Sequence, residues 1–270
     1  MNWFNTNRIS KALNKPMIFI TGSPRSGTSL VTKVLDSHKD IALLMENNFG
    51  NRRRHWSMPQ EWSSSKLLSK KVGQVYKDIQ EPIIGNKVCS PDVWWIEDIL
   101  MFCNMFKNFK IIFIIRDPRD VVLSRYFREN YDEEFNELGR RNILLDFRSQ
   151  LLTYTSSWRQ SIEIYRRLRD AAPSKIICVY YENFIQNFEL ECQRLIDFIG
   201  IPFDKNMLEW DKYPHHDKLG NLKHNMKYND IPIESYQRID KEIPDLLRKD
   251  FNEAIQSIQQ ELHCWQLQNL

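Results

Sequence analysis

Residues 16–33 read PMIFITGSPRSGTSLVTK, and this stretch decides the fold. Its apolar run MIFI, at 17–20, is short and ends in a Gly-Ser-Pro turn, which is typical of a buried strand. After the turn, apolar residues recur at helical spacing, at Leu30, Val31, Val34 and Leu35. The stretch therefore predicts a strand, a tight loop and a helix, which together begin an α/β fold.

Two later apolar runs have the same character. The run KIIFII, at 110–115, ends in Arg116-Asp117-Pro118, where Asp117 can cap a helix and Pro118 suits the first turn of that helix. The run KIICVYY, at 175–181, follows a helical pattern whose positions return every three or four residues, at Leu151, Thr155, Trp158, Ile162 and Tyr165. Because these strands are apolar throughout rather than at alternate positions, we expect a mainly parallel sheet flanked by helices in three layers.

The composition excludes several classes of protein. The chain has 270 residues, of which 42% are hydrophobic and 27% charged, so it has the makeup of a folded protein rather than a disordered one. Its net charge of +3 comes from 38 basic and 35 acidic residues, which argues against nucleic acid as a partner and favours a local anionic ligand. Five cysteines without pairwise metal spacing indicate reduced thiols and no metal site.

The sequence shows no targeting segment, membrane segment or internal boundary. The opening residues 1–16 contain no apolar stretch of signal-peptide length, and no later segment has the roughly 18 apolar residues of a membrane span. We therefore expect a cytoplasmic protein without stable membrane insertion, and a single domain over 1–270. Two stretches, 50–74 and 204–235, are interpreted as long loops or irregular helices on the acceptor side, because long loops of compact α/β domains often form lids or substrate walls.

The loop GSPRSGTS, at 22–29, has the spacing of a phosphate-binding loop. Gly22 and Gly27 allow tight turns, and the helix that follows presents free N–H groups and the positive end of its dipole to an anion. A triphosphate loop would have lysine at the position of Thr28, and here Arg25 can instead make a bidentate contact with a phosphate or sulfate group without a metal. A simple Gly-Pro turn between strand and helix is the alternative.

A second anion site is indicated after the strand at 110–115. Arg116 follows the carboxyl end of this strand, which is where open α/β sheets bind their ligands. Ser124 and Arg128 are four residues apart and share one face of the predicted helix. Together these side chains could hold a separate phosphate. The alternative is a surface salt-bridge cluster at the start of a helix.

Three segments together carry a family resemblance. In chain order, GSPRSGTSL, IIRDPRDVVLSRY and VYYENF resemble the 5′-phosphosulfate loop, the 3′-phosphate site and the RYEDL-like segment of sulfotransferases that use 3′-phosphoadenosine 5′-phosphosulfate (PAPS). The resemblance spans about residues 16–200, and the PRSGT form is similar to that of the tyrosylprotein-type and bacterial members. It implies a P-loop-like α/β fold and in-line transfer of a sulfuryl group from PAPS to a hydroxyl acceptor, with no metal.

The resemblance also implies which residues bind the donor. The 5′-phosphosulfate would be held by the loop residues Arg25, Ser26, Gly27, Thr28 and Ser29. The 3′-phosphate would be held by Arg116 and Ser124, with Arg128 as a further contact. Tyr181, in the third segment, would also bind the nucleotide.

Catalysis would need a general base and cations near the moving charge. The resemblance nominates Glu46, which lies 21 residues after Arg25, as the base; an exposed carboxylate near a strand end is the alternative. Arg25 would stabilise charge on the sulfuryl oxygens and the leaving phosphate, with Lys87 as a second cation or, alternatively, a solvated surface lysine. Asp36 and His38 are a weaker choice of base.

Two other function classes stay open at this point. A P-loop kinase-like phosphotransferase is supported by the spacing of the loop and opposed by the missing lysine. A non-catalytic nucleotide-binding module would keep the fold without the chemistry. For an enzyme, the acceptor is open between the hydroxyl groups of sugars, lipids, peptides and other small molecules.

Overall fold

The computed structural model describes residues 12–45, 65–91, 95–131, 147–216 and 245–268. At its centre lies a five-stranded sheet composed of β1 (Met17–Gly22), β2 (Ile41–Met45), β3 (Ile83–Lys87), β4 (Phe109–Ile115) and β5 (Ile176–Tyr180). The strand order is β2-β3-β1-β4-β5, and every pair of neighbours is parallel. The parallel sheet predicted from the continuous apolar runs is therefore confirmed.

Helices connect and cover the strands. They are α1 (Thr28–Asp36), α2 (Ser65–Val75), α3 (Ile96–Cys103), α4 (Pro118–Tyr131), α5 (Phe147–Ala171), α6 (Tyr181–Gln186), α7 (Phe188–Ile199) and α8 (Asp245–Gln268). Short 3₁₀ turns lie at Pro173–Lys175 and Lys205–Lys212. The predicted helices after the loop, after the strand at 110–115 and before the strand at 175–181 are confirmed as α1, α4 and α5.

The two faces of the sheet carry separate hydrophobic cores. On one face Phe19 and Phe113 pack in a cluster that includes Trp158 of α5. On the other face Ile114 packs in a cluster that includes Leu35 of α1 and residues of α7. Burial on both faces explains why the strands are apolar throughout, and it confirms the predicted three-layer α/β arrangement.

One predicted irregular stretch contains a regular helix. Residues 65–74 were expected to be irregular, but they belong to α2. Leu68 and Val72 are four residues apart, both fully buried, and they place an apolar stripe against the sheet. Residues 50–64 of that stretch, and residues 217–235 of the other, lie outside the described residues.

The parallel topology brings the predicted functional residues to one edge. In parallel strands all carboxyl ends point the same way, so the residues that follow β1, β3, β4 and β5 share that edge of the sheet. The segments that begin there are the loop after Gly22, the turn after Lys87, Arg116 and the start of α6 at Tyr181.

Asp36 and His38 lie at the opposite end of α1 from the loop. Both side chains are buried, and the Nε2 atom of His38 is 2.9 Å from the carbonyl oxygen of Pro202. These residues therefore connect α1 to the segment after α7.

The carboxylate of Asp36 lies at the centre of a hydrogen-bonded cluster that joins four parts of the chain. It accepts hydrogen bonds from the backbone N–H of Leu43, at 2.7 Å, and from that of His216, at 2.9 Å. The His216 ring lies between two carboxylates: its Nδ1 is 2.8 Å from Asp36, and its Nε2 is 3.0 Å from Glu81. The Nδ1 atom of His215 is 3.4 Å from Asp36. The hydrogen bond to Asp36 raises the pKa of His216 to about 9. Burial acts to raise the pKa of Asp36, but hydrogen bonds from His215, His216 and the backbone lower it on balance. Likewise, hydrogen bonds from the backbone and His216 outweigh burial and lower the pKa of Glu81.

This cluster predicts a pH-dependent contribution to stability. The pKa of His216 is raised from 6.5 in the unfolded chain, so its stabilisation is fully present below about pH 6.5 and is lost as the pH rises through about 9. The pKa shifts of Asp36 and Glu81 have the opposite sign, and their contribution is lost in acid. Replacing His216 with Asn should therefore lower the free energy of unfolding by about 1–3 kcal/mol at pH 6 and by less at pH 10.

Urea titrations of the wild type and His216→Asn at the two pH values measure this difference. His263, which is exposed on α8, provides the control, and His263→Asn should leave the free energy of unfolding unchanged at both. An equal loss for His216→Asn at pH 6 and pH 10 would show that the imidazolium charge is unimportant.

Candidate functional site

The loop after β1 is held by close backbone contacts. A Cβ atom at Gly22 would lie 2.4 Å from the carbonyl oxygen of Ile114, so glycine is required where the loop leaves the sheet beside β4. Gly27 caps α1 with φ of 95°, and a Cβ atom there would lie 2.3 Å from the Tyr181 ring. Arg25 has φ of 74°, which is rare for a residue with a side chain. The loop is thus strained and closely packed, and it is more elaborate than a simple Gly-Pro turn between strand and helix.

The hydroxyl groups of the loop brace it from within. Ser26 is fully buried, and its Oγ donates to the carbonyl oxygen of Ser23 at 2.7 Å. The Thr28 Oγ1 atom is buried 3.8 Å from the Sγ of Cys89. What the loop offers an anion is therefore the amino end of α1, at Thr28 and Ser29, together with the exposed side chain of Arg25.

Arg116 lies at the carboxyl end of β4, and its buried guanidinium is held on several sides. One Nη2 hydrogen is donated to Asp120 at 3.0 Å, in a pair whose side chains are 9% and 1% exposed. An Nη1 hydrogen is donated to the carbonyl oxygen of Arg25 at 3.3 Å. The guanidinium carbon lies 4.2 Å from the centre of the Tyr181 ring, in a cation–π contact. Burial raises the pKa of Tyr181, so its phenol stays neutral.

Arg25 connects the two predicted anion sites. Its Nε donates to the Ser124 Oγ on α4 at 3.0 Å, while its backbone carbonyl accepts from Arg116. The sequence assigned these side chains to two separate phosphates, and the structure places them in direct contact at one edge of the sheet. Arg128 is half-buried on α4, one turn after Ser124.

Lys87 is buried at the end of β3, where it is 4% exposed. In the sheet it lies beside Ile20 of β1 and Met45 of β2. The interpretation as a solvated surface lysine is therefore wrong, because the strand that carries Lys87 is covered on both faces. Glu46, which follows Met45, lies outside the described residues.

Three groups that support Arg116 and its turn were not predicted from the sequence. The Trp158 Nε1 of α5 donates to the carbonyl oxygen of Arg116 at 3.1 Å, and Glu182 accepts from the backbone N–H of Asp117 at 2.8 Å. Burial raises the pKa of Glu182. Asp120 could have been recognised from its spacing to Arg116, but the other two contacts join distant parts of the chain.

The start of α4 contains both the predicted cap and the alternative ion pairs. Asp117 accepts from the backbone N–H of Arg119 at 2.8 Å, so the cap predicted from RDPRD is confirmed. The same carboxylate forms an ion pair with the Arg119 side chain at 2.6 Å. A salt-bridge cluster therefore exists at this helix start, but its Arg116–Asp120 pair is buried rather than on the surface.

The described residues contain neither a candidate metal cluster nor a candidate membrane span. Within them, no group of three or more His, Cys, Asp or Glu side chains is arranged to hold a metal ion. None of the helices in the described ranges has the length and apolar character needed to cross a membrane.

Sequence comparison finds sulfotransferases among the relatives of the chain. A model of the sulfotransferase family matches residues 16–205, which is more than half of the chain. A protein-tyrosine sulfotransferase of Drosophila melanogaster is 25% identical over 240 residues, which cover 83% of this chain and 43% of the relative. Protein-tyrosine sulfotransferase A of Caenorhabditis elegans is 28% identical over 220 residues, covering 76% and 53%. The chain spans about half the length of these curated relatives.

Solved structures share the fold at low sequence identity. A sulfotransferase domain from the curacin biosynthetic pathway matches with a TM-score of 0.57 and 18% identity, covering 85% of this chain and 97% of that domain. A mouse sulfotransferase complexed with PAP matches with a TM-score of 0.57 and 14% identity, covering 91% and 86%. These matches agree with the P-loop-like α/β fold expected from the sequence.

The contact between Gly27 and Tyr181 predicts a severe effect of a single methyl group. Gly27→Ala should lower the free energy of unfolding by about 2–4 kcal/mol, because the new Cβ meets the Tyr181 ring and φ is positive. Gly200→Ala is the matched control, since Gly200 has φ of 88° and a Cβ atom added there would have nothing within 4 Å. That control should cost only about 1–2 kcal/mol.

Denaturant titration of the wild type and both variants measures the two losses in the free energy of unfolding. Equal losses of stability for Gly27→Ala and Gly200→Ala would show that the loop does not pack against Tyr181.

Proposed function

The chain belongs to the sulfotransferase family, and on that premise we propose that it transfers a sulfuryl group from PAPS to a hydroxyl acceptor. The contact of Arg25 with both Ser124 and Arg116 is the observation that carries the proposal. It joins the loop after β1 to Arg116 and the start of α4, so that one edge of the sheet is cationic. Such an edge fits a nucleotide with negative charge at both its 5′ and its 3′ positions.

The donor set fits this nucleotide without a metal. The 5′-phosphosulfate would be held by the Arg25 side chain and by the end of the loop where α1 begins, at Ser26, Gly27, Thr28 and Ser29. Because the Ser26 hydroxyl and backbone N–H are both donated to the carbonyl oxygen of Ser23, this residue would act by shaping the loop. Arg116, Ser124 and Arg128 would hold the 3′-phosphate, and Tyr181 would bind the nucleotide from beneath Arg116.

The transfer is a displacement at sulfur. When bound, PAPS supplies a sulfuryl group whose bond to the 5′-phosphate oxygen breaks as the acceptor oxygen attacks in line, and the electron pair leaves with 3′-phosphoadenosine 5′-phosphate (PAP). Arg25 would stabilise charge on the sulfuryl oxygens and on the leaving phosphate.

Glu46 and Lys87 complete the proposed machinery. Glu46 would accept the proton of the acceptor hydroxyl. Its position in the chain, directly after β2, supports this role, because β2 ends beside Lys87 in the same sheet. Burial of Lys87 at the carboxyl end of β3 supports its role as a second cation near the leaving phosphate.

The relatives favour one class of acceptor. Those compared above are named protein-tyrosine sulfotransferases, so we propose the phenolic hydroxyl of a tyrosine in a peptide as the acceptor. A phenol is already acidic compared with an aliphatic alcohol, which makes it the easier acceptor for a carboxylate base.

Transfer of labelled sulfate tests the function. The protein is incubated with ³⁵S-labelled PAPS and, in parallel, with γ-³²P-labelled ATP and Mg²⁺, each with tyrosyl peptides, phenols, sugars and lipid alcohols. We expect label from PAPS on tyrosyl peptides, unaffected by a chelator, and none from ATP. Magnesium-dependent label from ATP would instead identify a kinase, and label on no acceptor would favour a nucleotide-binding module.

The same assay tests the base. Glu46→Gln removes the proton acceptor at nearly constant shape, and we expect kcat to fall by about 10²–10⁴ with the Kd for PAP unchanged. The matched control is Glu97→Gln, a change on the exposed side of α3, where Glu97 pairs with Arg167 at 3.2 Å. An unchanged kcat in Glu46→Gln, with normal PAP binding, would exclude Glu46 as the base.

A further inference from the structure

We infer that Asp120 is a positioning residue that selects for the 3′-phosphate of the nucleotide by fixing the orientation of Arg116. This inference rests on the proposed function, since it concerns the same donor site. It starts from the buried ion pair between the two side chains, in which the Arg116 Nη2 and Asp120 Oδ2 atoms are 3.0 Å apart.

The pair is built so that Arg116 cannot turn away. A planar guanidinium held by hydrogen bonds at two of its nitrogens cannot rotate, and Arg116 is held at Nη2 by Asp120 and at Nη1 by the carbonyl oxygen of Arg25. The face of the guanidinium rests on the Tyr181 ring. The direction of every N–H group of Arg116 is therefore set before any phosphate arrives.

Asp120 is buried more deeply than Arg116. Its side chain is 1% exposed, against 9% for that of Arg116, so it is the deeper member of the pair. It lies in the first turn of α4, where the helix dipole stabilises a negative charge. Trp158 holds the Arg116 backbone from the other side, through a 3.1 Å bond to its carbonyl oxygen.

Two effects of Asp120 on a bound 3′-phosphate oppose each other. Its negative charge repels the phosphate, whereas its hydrogen bond orients the guanidinium that binds the phosphate. A charge-assisted bidentate contact requires the N–H groups to point in defined directions. Because Asp120 is buried behind a cation that it neutralises, we assign the larger effect to orientation.

The test compares two nucleotides that differ only in the 3′-phosphate. The Kd values of PAP and AMP are measured by calorimetry for wild type, Asp120→Asn and the matched control Glu129→Gln. Glu129 forms an equivalent i,i+4 pair on α4, with Arg125 at 2.9 Å. We expect the preference for PAP over AMP to fall at least tenfold in Asp120→Asn, through weaker PAP binding alone, and to stay unchanged in Glu129→Gln.

Combining the change with Arg116→Ala separates positioning from a general loss of structure. If Asp120 acts through Arg116, the double variant Arg116→Ala with Asp120→Asn should bind PAP no more weakly than Arg116→Ala alone. An unchanged or increased preference for PAP in Asp120→Asn would overturn the inference, as would an equal loss of affinity for both nucleotides. By contrast, a wild type that binds PAP no better than AMP would contradict the proposed function itself.

A measurement on the wild type keeps the inference testable should Asp120→Asn fail to fold. In the nucleotide-free protein, the Nη signals of Arg116, assigned by their loss in Arg116→Lys, should be resolved from one another in ¹⁵N NMR spectra because rotation is restricted. A single averaged Nη signal would show that the guanidinium is not held and would overturn the inference.

Discussion

The site depends on the hydrogen bond by which the Arg116 guanidinium holds the backbone carbonyl of Arg25. Arg25 has left-handed backbone geometry, which costs about 1–2 kcal/mol for a residue with a side chain. A contact that captures its carbonyl offsets part of that cost and fixes the shape of the loop. The same bond joins the loop after β1 to the turn after β4, so the two halves of the site form together.

The positive charge of Arg116 is compensated within the fold. Asp120 neutralises Arg116 within the fold, and the Tyr181 ring lies against its cationic face. Ser124 gives Arg25 a neutral hydrogen-bond acceptor on α4. The charge on Arg116 is therefore balanced within the fold, and the exposed Arg25 side chain adds a second guanidinium to this edge of the sheet. This distribution suits a ligand whose reacting group is an anion.

The sequence predicts those parts of the structure that depend on residues close together in the chain. Strands β1, β4 and β5 follow from continuous apolar runs, and the cap at Asp117 follows from its place before a proline. The position of Arg116 at a strand end was likewise readable, because parallel strands share one carboxyl edge. The contact of the Arg25 side chain with Ser124 was not predicted, because no sequence pattern reports it.

The features that sequence did not predict depend on contacts between distant segments. Lys87 was thought to be a possible surface residue, because its burial depends on the layers that cover both faces of β3. The bond from Trp158 to the Arg116 carbonyl joins α5 to the end of β4, and helical periodicity only identified Trp158 as a core residue. Likewise, α2 was missed because its buried Leu68 and Val72 lie within a largely polar stretch.

A crystal structure of the protein in complex with PAP would test the central claim most directly. We expect the 3′-phosphate to be bonded to Arg116 and Ser124, the 5′-phosphate to lie at the amino end of α1, and the bond from Arg116 to the Arg25 carbonyl to persist. A complex in which PAP binds with its 3′-phosphate away from Arg116, or with the loop detached from the turn after β4, would contradict it.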